Sequence, residues 1–570
     1  MAESLLWRNW RLTVCVLFSL LCYSVLTLYQ LPLPGLAYDE VFFGPAARGL
    51  TRDFSAPVLV PERELVSRFS PLAFNAFSLA VGSASVPVML MPYWGALKVY
   101  LMIPVFSVWG ISPHTIRLPA LFLGGLTLLF FSLLLARCCS VLLALLASVL
   151  LASDPSYLFY TRHDFGSAAL SLFLVCCPLW CLVRWRETNR ASLWAATFFL
   201  FGVGLYNRLD YLAFLVAAGM TILLCFRKSV CLRVGSKEFR CAVFFFLLGF
   251  SPFLLFLGKR PAVAASTFSL AAPPQNFSAV AQFKGYTLWT VLNGTSLYDF
   301  FSGRSDLNIG KEVTATGEVR IGSYDVDAQS LRTASLVTGT FTPYVLLFFA
   351  GVFCLSSPPP LLRALMIFLV LLALCVFAIR GALRGHHFVL FLPFVQAFLA
   401  ASLIVLWQKS SRRVCRVVLA TVGIACVAAN IAMDVRYHRF LAATGGRGMW
   451  SEAIYDLAQY LQDRCREQRC LIGDWGLGTQ VVTLAEGPLS LREFFWPYIE
   501  NGNEEEINAL VRLSGTLFVF YADPYVNFSR PKRLLYAAAQ RAGYTIETDR
   551  TFVERDGTPV IEVVKMGRAG

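Results

Sequence analysis

Residues 36–50 read LAYDEVFFGPAARGL and follow the first long apolar run of the chain, at 12–30. Asp39 and Glu40 thus form an acidic pair just past the end of a candidate membrane-spanning segment. Ionisable groups are costly inside a bilayer, so we expect this pair at the interface between lipid and water. A carboxylate placed there can meet both lipid-borne and water-soluble molecules.

The composition is that of a polytopic membrane protein. The 570 residues are 57% hydrophobic and 15% charged, and the mean hydropathy is +0.62. A membrane span needs about 20 apolar residues. The first run is longer than a signal-peptide core and lacks a small-residue cleavage site, so we interpret it as a retained helix. Eleven runs are candidate spans: 12–30, 116–136, 141–158, 166–183, 191–206, 210–226, 241–257, 343–356, 364–379, 387–407 and 414–433.

The net charge of +14 is explained by topology rather than by nucleic-acid binding. Basic residues fall in short loops after every second run, such as RKSVCLRVGSKEFR and KSSRRVCR. Cytoplasmic loops of membrane proteins carry such charge. The pattern predicts a cytoplasmic N-terminus and, with an odd number of spans, an outer C-terminus.

These spans predict an all-α membrane domain at 1–434 and a small extracytoplasmic α/β domain at 435–570. Two long outer loops, 31–115 and 259–341, interrupt the spans. The stretches SPLAFNAFSLAVGSASVPVMLMP and LKVYLMIPVFSVWG of the first loop contain Pro and Gly, so we expect short helices at the interface. The second loop is rich in small polar residues and is expected to be partly flexible, as a lid would be. In the tail, a helical pattern precedes the β-rich runs TLFVFYA, TFVERDG and PVIEVVKM.

Two features of the tail have open interpretations. Of the sixteen cysteines, only Cys465 and Cys470 fall on the predicted outer side, where either a local disulfide or two free thiols fits. The sequence GDWGLG that follows resembles a glycine-rich phosphate loop, but it lacks the GxGxxG spacing, so a plain turn is favoured.

Charged side chains gather at the outer ends of the predicted spans. Any one of them would usually snorkel to the interface or pair with a neighbour. Outward-facing basic residues run against the positive-inside trend, so several of them beside acids indicate that something anionic is held there. The set comprises Asp39, Glu40, Lys98, Arg117, Arg162, His163, Asp164, Arg208, Asp210, Arg384, His386 and His387.

Such a set suits transfer of a group from a lipid-anchored phosphate. A carboxylate acts as general base on an acceptor hydroxyl, while Arg and Lys neutralise the charge that develops on the departing phosphate. The alternative is a transporter or flippase for a polar or glycosylated lipid. A transporter of this kind should show inverted repeats and charges near span centres, whereas this sequence favours the enzyme because it has no internal repeat and its charges lie at span ends.

YDEVFFGPAARGL resembles the first-loop Asp-Glu motif of protein O-mannosyltransferases and the acidic pair of the aminoarabinose transferases that modify lipid A. Both belong to the GT-C superfamily of polyprenyl-phosphate-sugar-dependent glycosyltransferases. PYWGALKVYLMIPVFSVWGISPHTIRLPALFLGGLTLL and LLASDPSYLFYTRHDFGSAALSLFL are similar to later segments of that family. The resemblance covers residues 10–225. It implies a GT-C fold of about 11 transmembrane helices and inverting transfer of a hexose or pentose.

The resemblance also implies roles for individual residues. Asp39 is the expected catalytic carboxylate, with Glu40 assisting it. Lys98, Arg162 and Arg384 are the expected contacts to the donor phosphate. Asp39, Asp164 and His163 could hold a divalent ion, as in some members of the superfamily, but the resemblance requires no metal and no cofactor is expected. The donor or acceptor pocket is expected to include Arg117, His163, Asp164, Arg208, Asp210, His386 and His387.

The resemblance leaves the sugar and the acceptor open. Mannosyltransferases follow their acidic pair with a His-Pro-Pro motif, whereas this chain has SRFSPLAF and PYWGALK. The acceptor is therefore a glycan, a lipid or a protein. Similarity to bacterial members implies undecaprenyl phosphate as the carrier and a place in the cell envelope. The expected location is the bacterial inner (plasma) membrane, with the C-terminal domain periplasmic or extracellular.

Overall fold

The computed structural model describes most of the chain, and the structural statements below concern those residues. They are 2–50, 76–82, 84–226, 236–262, 277–301, 311–313, 319–321, 339–379, 383–486, 489–495, 498 and 504–568. About half of the second outer loop, which the sequence predicts to be partly flexible, lies outside them.

Helices predominate among the described residues. In chain order they are α1 (Ala2–Leu28), α2 (Tyr38–Val41), α3 (Gly44–Gly49), α4 (Leu97–Trp109), α5 (Pro113–Cys138), α6 (Val141–Ala152), α7 (Pro155–His163), α8 (Ala168–Thr188), α9 (Ala191–Asn207), α10 (Tyr211–Phe226), α11 (Lys237–Lys259), α12 (Phe277–Leu292), α13 (Ser296–Phe301), α14 (Thr342–Cys354), α15 (Pro360–Ala378), α16 (Gly385–Phe388), α17 (Leu392–Lys409), α18 (Arg413–Thr444), α19 (Ala453–Glu467), α20 (Gly478–Leu484), α21 (Glu504–Val511) and α22 (Ser529–Arg541). Short 3-10 turns lie at Phe165–Ser167, Val389–Phe391 and Gly448–Trp450.

The strands form three small sheets. They are β1 (Phe77–Val81), β2 (Ala84–Met91), β3 (Trp94–Gly95), β4 (Lys311–Val313), β5 (Val319–Ile321), β6 (Cys470–Ile472), β7 (Leu491–Glu493), β8 (Leu517–Tyr521), β9 (Tyr544–Val553) and β10 (Pro559–Arg568). The first three belong to the first outer loop, the next two to the second, and the last five to the tail.

Helices form at all eleven predicted spans. Among the described residues, seven helical segments are long and apolar enough to cross a bilayer, and α6 with α7 adds an eighth that is bent by 63°. Helices α9, α10 and α14 are apolar but shorter. The all-helical, polytopic class is thus confirmed, while the count of eleven spans stays a prediction. The seven segments are Trp10–Leu28, Pro113–Cys138, Phe165–Thr188, Lys237–Lys259, Pro360–Ala378, Gly385–Lys409 and Arg413–Thr444.

The bend between α6 and α7 follows from the sequence Ser153-Asp154-Pro155. Proline has no N–H to donate and is suited to the first turn of a new helix. The carboxylate of Asp154 accepts a hydrogen bond from the N–H of Tyr157 at 3.0 Å and caps α7. The new direction leads α7 to His163, within the charged set identified from the sequence.

Helices α8 and α17 lie at the centre of the bundle. Of their most apolar segments, 72% and 78% is buried, compared with 17% for α18. Apolar side chains that stay exposed on α18 are suited to contact with lipid tails, because the bilayer core is itself apolar. The bundle therefore has an inner pair of helices and an outer layer.

Part of the first outer loop forms a β-hairpin, so the expectation of short helices in SPLAFNAFSLAVGSASVPVMLMP was wrong for its described residues. β1 pairs with β2 antiparallel, and β2 continues to β3. Gly82 takes a φ of +60° in the connection, a conformation that glycine adopts easily. The β-branched residues of SVPVMLM suit a strand. The second stretch, LKVYLMIPVFSVWG, does form a helix, α4.

The tail forms the predicted α/β domain. Its sheet has the order β7-β6-β8-β10-β9, in which β6 runs parallel to β7 and β8, and β10 runs antiparallel to β8 and β9. A disulfide joins Cys465, near the end of α19, to Cys470, at the start of β6. Of the two alternatives left open by the sequence, the structure thus has the disulfide. The boundary at residue 434 stays a prediction.

Candidate active site

The Asp-Glu pair lies in α2, a single helical turn between α1 and α3. Glu40 is 1% exposed, whereas Asp39 is partly exposed. The carboxylate of Glu40 accepts a hydrogen bond from the N–H of Ala37 at 3.4 Å, which closes the turn. The two acids are adjacent in sequence but have different surroundings.

Glu40 forms a buried ion pair with Arg117 of α5. Nη2 of Arg117 lies 2.9 Å from Oε2, and its Nε donates to Oε1. The guanidinium also donates to the carbonyls of Leu31 and Pro34, and Nδ1 of His163 lies 3.4 Å from Oε1. Burial alone would raise the pKa of Glu40, but the opposing effect of the Arg117 charge and hydrogen bond is larger, and the pKa is lowered to about 2. Glu40 is therefore an ionised carboxylate that ties α2 to α5.

Lys98 and Asp164 form a second buried pair. Nζ of Lys98 lies 2.8 Å from Oδ2 of Asp164 and 3.2 Å from the carbonyl oxygen of Glu40. Oδ1 of Asp164 accepts the N–H of Ala169 at 2.8 Å and so caps α8. Burial raises the pKa of Asp164, and Lys98 opposes this only in part. The pair connects α4 to the junction between α7 and α8.

Arg162 is buried beneath the segment that leads into α2. Its Nη2 donates to the carbonyls of Gln30 and, at 2.8 Å, of Leu33. Its guanidinium lies 5.6 Å from the centre of the Phe159 ring. Nε and Nη1 have no hydrogen-bond partner in the described part of the chain. Arg162 thus holds the turn between α1 and α2 and keeps two donors for another acceptor.

A third cluster joins α9, α10 and α16. Arg208 makes a fork with Asp210, at 3.0 Å from Nε to Oδ1 and 2.5 Å from Nη2 to Oδ2. Nδ1 of His387 lies 2.7 Å from Oδ2 of Asp210. Burial alone would raise the pKa of Asp210, but the opposing effect of Arg208 and His387 is larger. The pKa is therefore lowered, and the carboxylate is ionised. His386 is buried beside this cluster, where its ring centre is 5.1 Å from that of Phe165.

Asp39 and Arg384 line the same small cavity, whose free space is about 30 Å³. That space suffices for one or two water molecules, so a sugar requires the cavity to widen. Both side chains are partly exposed. The complete lining is Ala37, Tyr38, Asp39, Phe165, Arg384, Met449, Trp450, Trp475 and Gly476.

The structure thus sorts the predicted residues into groups. One buried network consists of Glu40, Arg117, His163, Lys98 and Asp164. Another consists of Arg208, Asp210 and His387. Only Asp39 and Arg384 of the predicted set line the cavity. Their roles as base and phosphate contact stay predictions.

No three His, Cys, Asp or Glu side chains of the described residues come together in a way that could hold a metal ion. The combination of Asp39, Asp164 and His163 considered from the sequence is not such a group. The carboxylate of Asp164 is instead paired with Lys98, and His163 lies beside the carboxylate of Glu40.

The bundle and the tail together resemble solved structures along almost their whole length. ArnT from Cupriavidus metallidurans bound to undecaprenyl phosphate superposes with a TM-score of 0.55 at 13% identity, covering 98% of both chains. The Archaeoglobus fulgidus oligosaccharyltransferase tethered to an acceptor peptide that contains the NVT sequon gives a TM-score of 0.50 at 12% identity, covering 95% of this chain and 69% of that chain. The chain has the GT-C fold.

A sequence comparison agrees with this GT-C fold. Residues 96–256 match the profile of the family described as dolichyl-phosphate-mannose-protein mannosyltransferase. No curated protein matches the chain in sequence. The resemblance to GT-C enzymes inferred from the Asp-Glu motif is therefore confirmed at the level of fold.

Sequence reasoning missed the part of the cavity that the tail contributes. Met449, Trp450, Trp475 and Gly476 all follow the last span. The tryptophan of GDWGLG, between Asp474 and Gly476, was the available signal, but its distance along the chain from the Asp-Glu motif concealed the connection.

Proposed function

We propose that the protein is a membrane-embedded glycosyltransferase that moves a sugar from a polyprenyl-phosphate donor to an extracytoplasmic acceptor. The GT-C fold supports this proposal, since it is shared with ArnT that is bound to undecaprenyl phosphate. It is shared also with an oligosaccharyltransferase tethered to an acceptor peptide. The sugar carrier of this chain is then undecaprenyl phosphate.

The observation that carries the proposal is that Asp39 and Arg384 line one cavity. Transfer from a lipid phosphate needs a base for the acceptor hydroxyl and a cation for the departing phosphate. Of the predicted cations, Lys98 and Arg117 are engaged with buried carboxylates. Arg384 is the predicted cation on the cavity wall that holds Asp39.

In the proposed reaction, Asp39 accepts the proton of the acceptor hydroxyl as its oxygen attacks the anomeric carbon. The bond between that carbon and the phosphate oxygen breaks, and the electron pair leaves with the lipid phosphate. Attack opposite to the leaving group inverts the anomeric carbon. Arg384 stabilises the negative charge on the departing phosphate, which is the step at which a fixed cation lowers the barrier most.

The buried pairs hold these two groups in place. Glu40 and Arg117 fix α2, which carries Asp39, and Lys98 connects the carbonyl of Glu40 to Asp164. Arg208 donates to the carbonyl of Gly166 and, at 3.4 Å, to the carbonyl of His386. His386 lies two positions after Arg384 in the chain. Lys98 and Arg162 act as positioning residues, since neither lines the cavity.

The proposed location is a bacterial plasma membrane, with the N-terminus in the cytoplasm and the cavity on the outer face. The spans support an integral membrane protein. The orientation rests on the basic loops. The acceptor is a glycan, a lipid or a protein, since nothing in the cavity selects one of them.

The test is mass spectrometry of lipids that copurify with wild-type protein and with Asp39→Asn. The amide keeps the shape of the carboxylate and removes its basicity, so we expect a phosphoprenyl sugar to accumulate on the variant. Asp463→Asn, in an exposed part of α19, is the matched control and should retain wild-type amounts. If both proteins retain an intact polar lipid and no phosphoprenyl sugar, the proposal is overturned in favour of a transporter.

A further inference from the structure

The GDWGLG segment lies between β6 and α20 and brings Trp475 to the cavity wall that also holds Asp39. Trp475 is partly exposed there, whereas Asp474 and Gly476 on either side are buried. Its indole ring centre lies 4.6 Å from that of Tyr38, the residue before Asp39. The segment is thus a turn at the wall of the cavity that holds Asp39.

Asp474 fixes the backbone on one side of Trp475. Its side chain is fully buried, and its Oδ1 accepts the N–H of Trp475 at 2.8 Å and of Phe528 at 3.0 Å. Its Oδ2 accepts the N–H of Asn527 at 2.8 Å. A buried carboxylate that accepts three backbone hydrogen bonds is a strong anchor, because charge-assisted bonds are about twice as strong as neutral ones.

Hydrogen bonds to carbonyl oxygens fix the other side. Nδ2 of Asn527 donates to the carbonyl of Trp475 at 3.2 Å. The carbonyl of Gly476 accepts from the hydroxyl of Tyr521 at 3.1 Å and from Nε2 of Gln480 at 2.5 Å. The backbone around Trp475 is therefore held from β8, from α20 and from the segment before α22.

The geometry requires glycine at positions 473 and 476, on either side of Asp474 and Trp475. A Cβ on Gly473 would lie 2.0 Å from the ring of Phe520, and Gly476 has a φ of +91°, which other residues rarely adopt. A loop with so many constraints is pre-organised, and pre-organisation reduces the entropy lost when a ligand binds. The side chain that this loop presents to the cavity is that of Trp475.

We propose that Trp475 is the sugar-binding residue of the site. This inference rests on the proposed function. The transferred sugar must lie between the phosphate at Arg384 and the acceptor hydroxyl at Asp39, and Trp475 lines the same cavity. The face of an indole ring carries the negative part of its quadrupole, which attracts the polarised C–H groups of a sugar ring. The C-terminal domain thereby contributes directly to recognition of the donor.

The test compares the lipids retained by Asp39→Asn with those retained by Asp39→Asn/Trp475→Leu. We expect the phosphoprenyl sugar to fall roughly threefold to tenfold, as the loss of one aromatic contact implies. Sugar-free polyprenyl phosphate should stay unchanged, because Arg384 is intact. Asp39→Asn/Trp475→Phe should recover most of the retained sugar, since it restores an aromatic face. Asp39→Asn/Trp407→Leu, which changes an exposed tryptophan of α17, is the matched control.

Three outcomes would count against this role. Equal retention of phosphoprenyl sugar by Asp39→Asn and Asp39→Asn/Trp475→Leu overturns the inference and leaves the proposed function standing. A parallel loss of both lipids, with an unchanged melting temperature, assigns Trp475 to lipid binding in general and also overturns it. Absence of the sugar from Asp39→Asn itself overturns both proposals. If the Trp475→Leu variant does not fold, Trp475→Met takes its place in the comparison.

Discussion

Oε2 of Glu40 lies 2.9 Å from Nη2 of Arg117, 77 positions away in the chain, and both side chains are buried. This pair fixes the first outer loop to the beginning of α5. The second acid of the Asp-Glu motif is therefore part of the framework, while the first lines the cavity. The motif combines an anchor with a candidate catalytic group in adjacent positions.

Glu40→Gln should destabilise the protein while Asp39→Asn should not. The amide leaves the Arg117 charge buried without a counter-ion, and breaking a buried pair in this way costs about 3–5 kcal/mol. Thermal unfolding of the purified proteins in detergent measures the difference. A melting temperature for Glu40→Gln equal to that of Asp39→Asn would show that the pair does not stabilise the fold.

The same pair predicts how stability depends on pH. The pKa of Glu40 in the folded protein is about 2, below the value of about 4.3 for an unfolded chain. The unfolded state therefore binds the proton more readily, so this contribution is complete above about pH 5 and is lost as the pH falls toward 2. The difference in melting temperature between wild type and Glu40→Gln should narrow from pH 5 to pH 3. A constant difference across that range would contradict the assignment.

Lys98 and Asp164 should be coupled energetically. Lys98→Met leaves the carboxylate of Asp164 buried without its cation and should cost about 3–5 kcal/mol. Asp164→Asn keeps an oxygen to cap α8 and tolerates the φ of +45° at this position. The double variant should therefore be more stable than Lys98→Met alone, with an interaction of about 0.5–3 kcal/mol in a double-mutant cycle. Additive losses would mean that the two side chains act independently.

The sequence was sufficient for the features that depend on local pattern. Apolar runs marked every helical segment of the described residues that is long and apolar enough to cross a bilayer. The runs TLFVFYA and PVIEVVKM marked β8 and β10, because each pattern reports burial of the element that contains it. The run TFVERDG covered only the end of β9, a mostly exposed strand. The hairpin at β1 and β2 was mistaken for helix, since an apolar stretch with Pro and Gly suits either structure and only its antiparallel pairing decides.

The candidate site could be predicted only in part. Asp39 and Arg384 were identifiable as charges at outer span ends, and the resemblance singled out Asp39 over Glu40, but the different surroundings of the two acids could not be predicted from the sequence. That difference depends on Arg117, whose approach to Glu40 is set by the packing of α5 against the first loop. Trp475 was not identifiable because its contact with Tyr38 joins segments that are more than four hundred residues apart.

The topology supplies a prediction that requires no enzyme assay. The cavity lies where the first loop meets the tail, so the proposed reaction requires both segments to be on the outer face. A reporter that is active only outside the cytoplasm should be active when fused after residue 570 and inactive when inserted into KSSRRVCR, at 409–416. The disulfide between Cys465 and Cys470 agrees with an oxidising compartment. Activity of the reporter in KSSRRVCR alone would place the cavity in the cytoplasm, where an undecaprenyl-linked donor for an extracytoplasmic acceptor has no use.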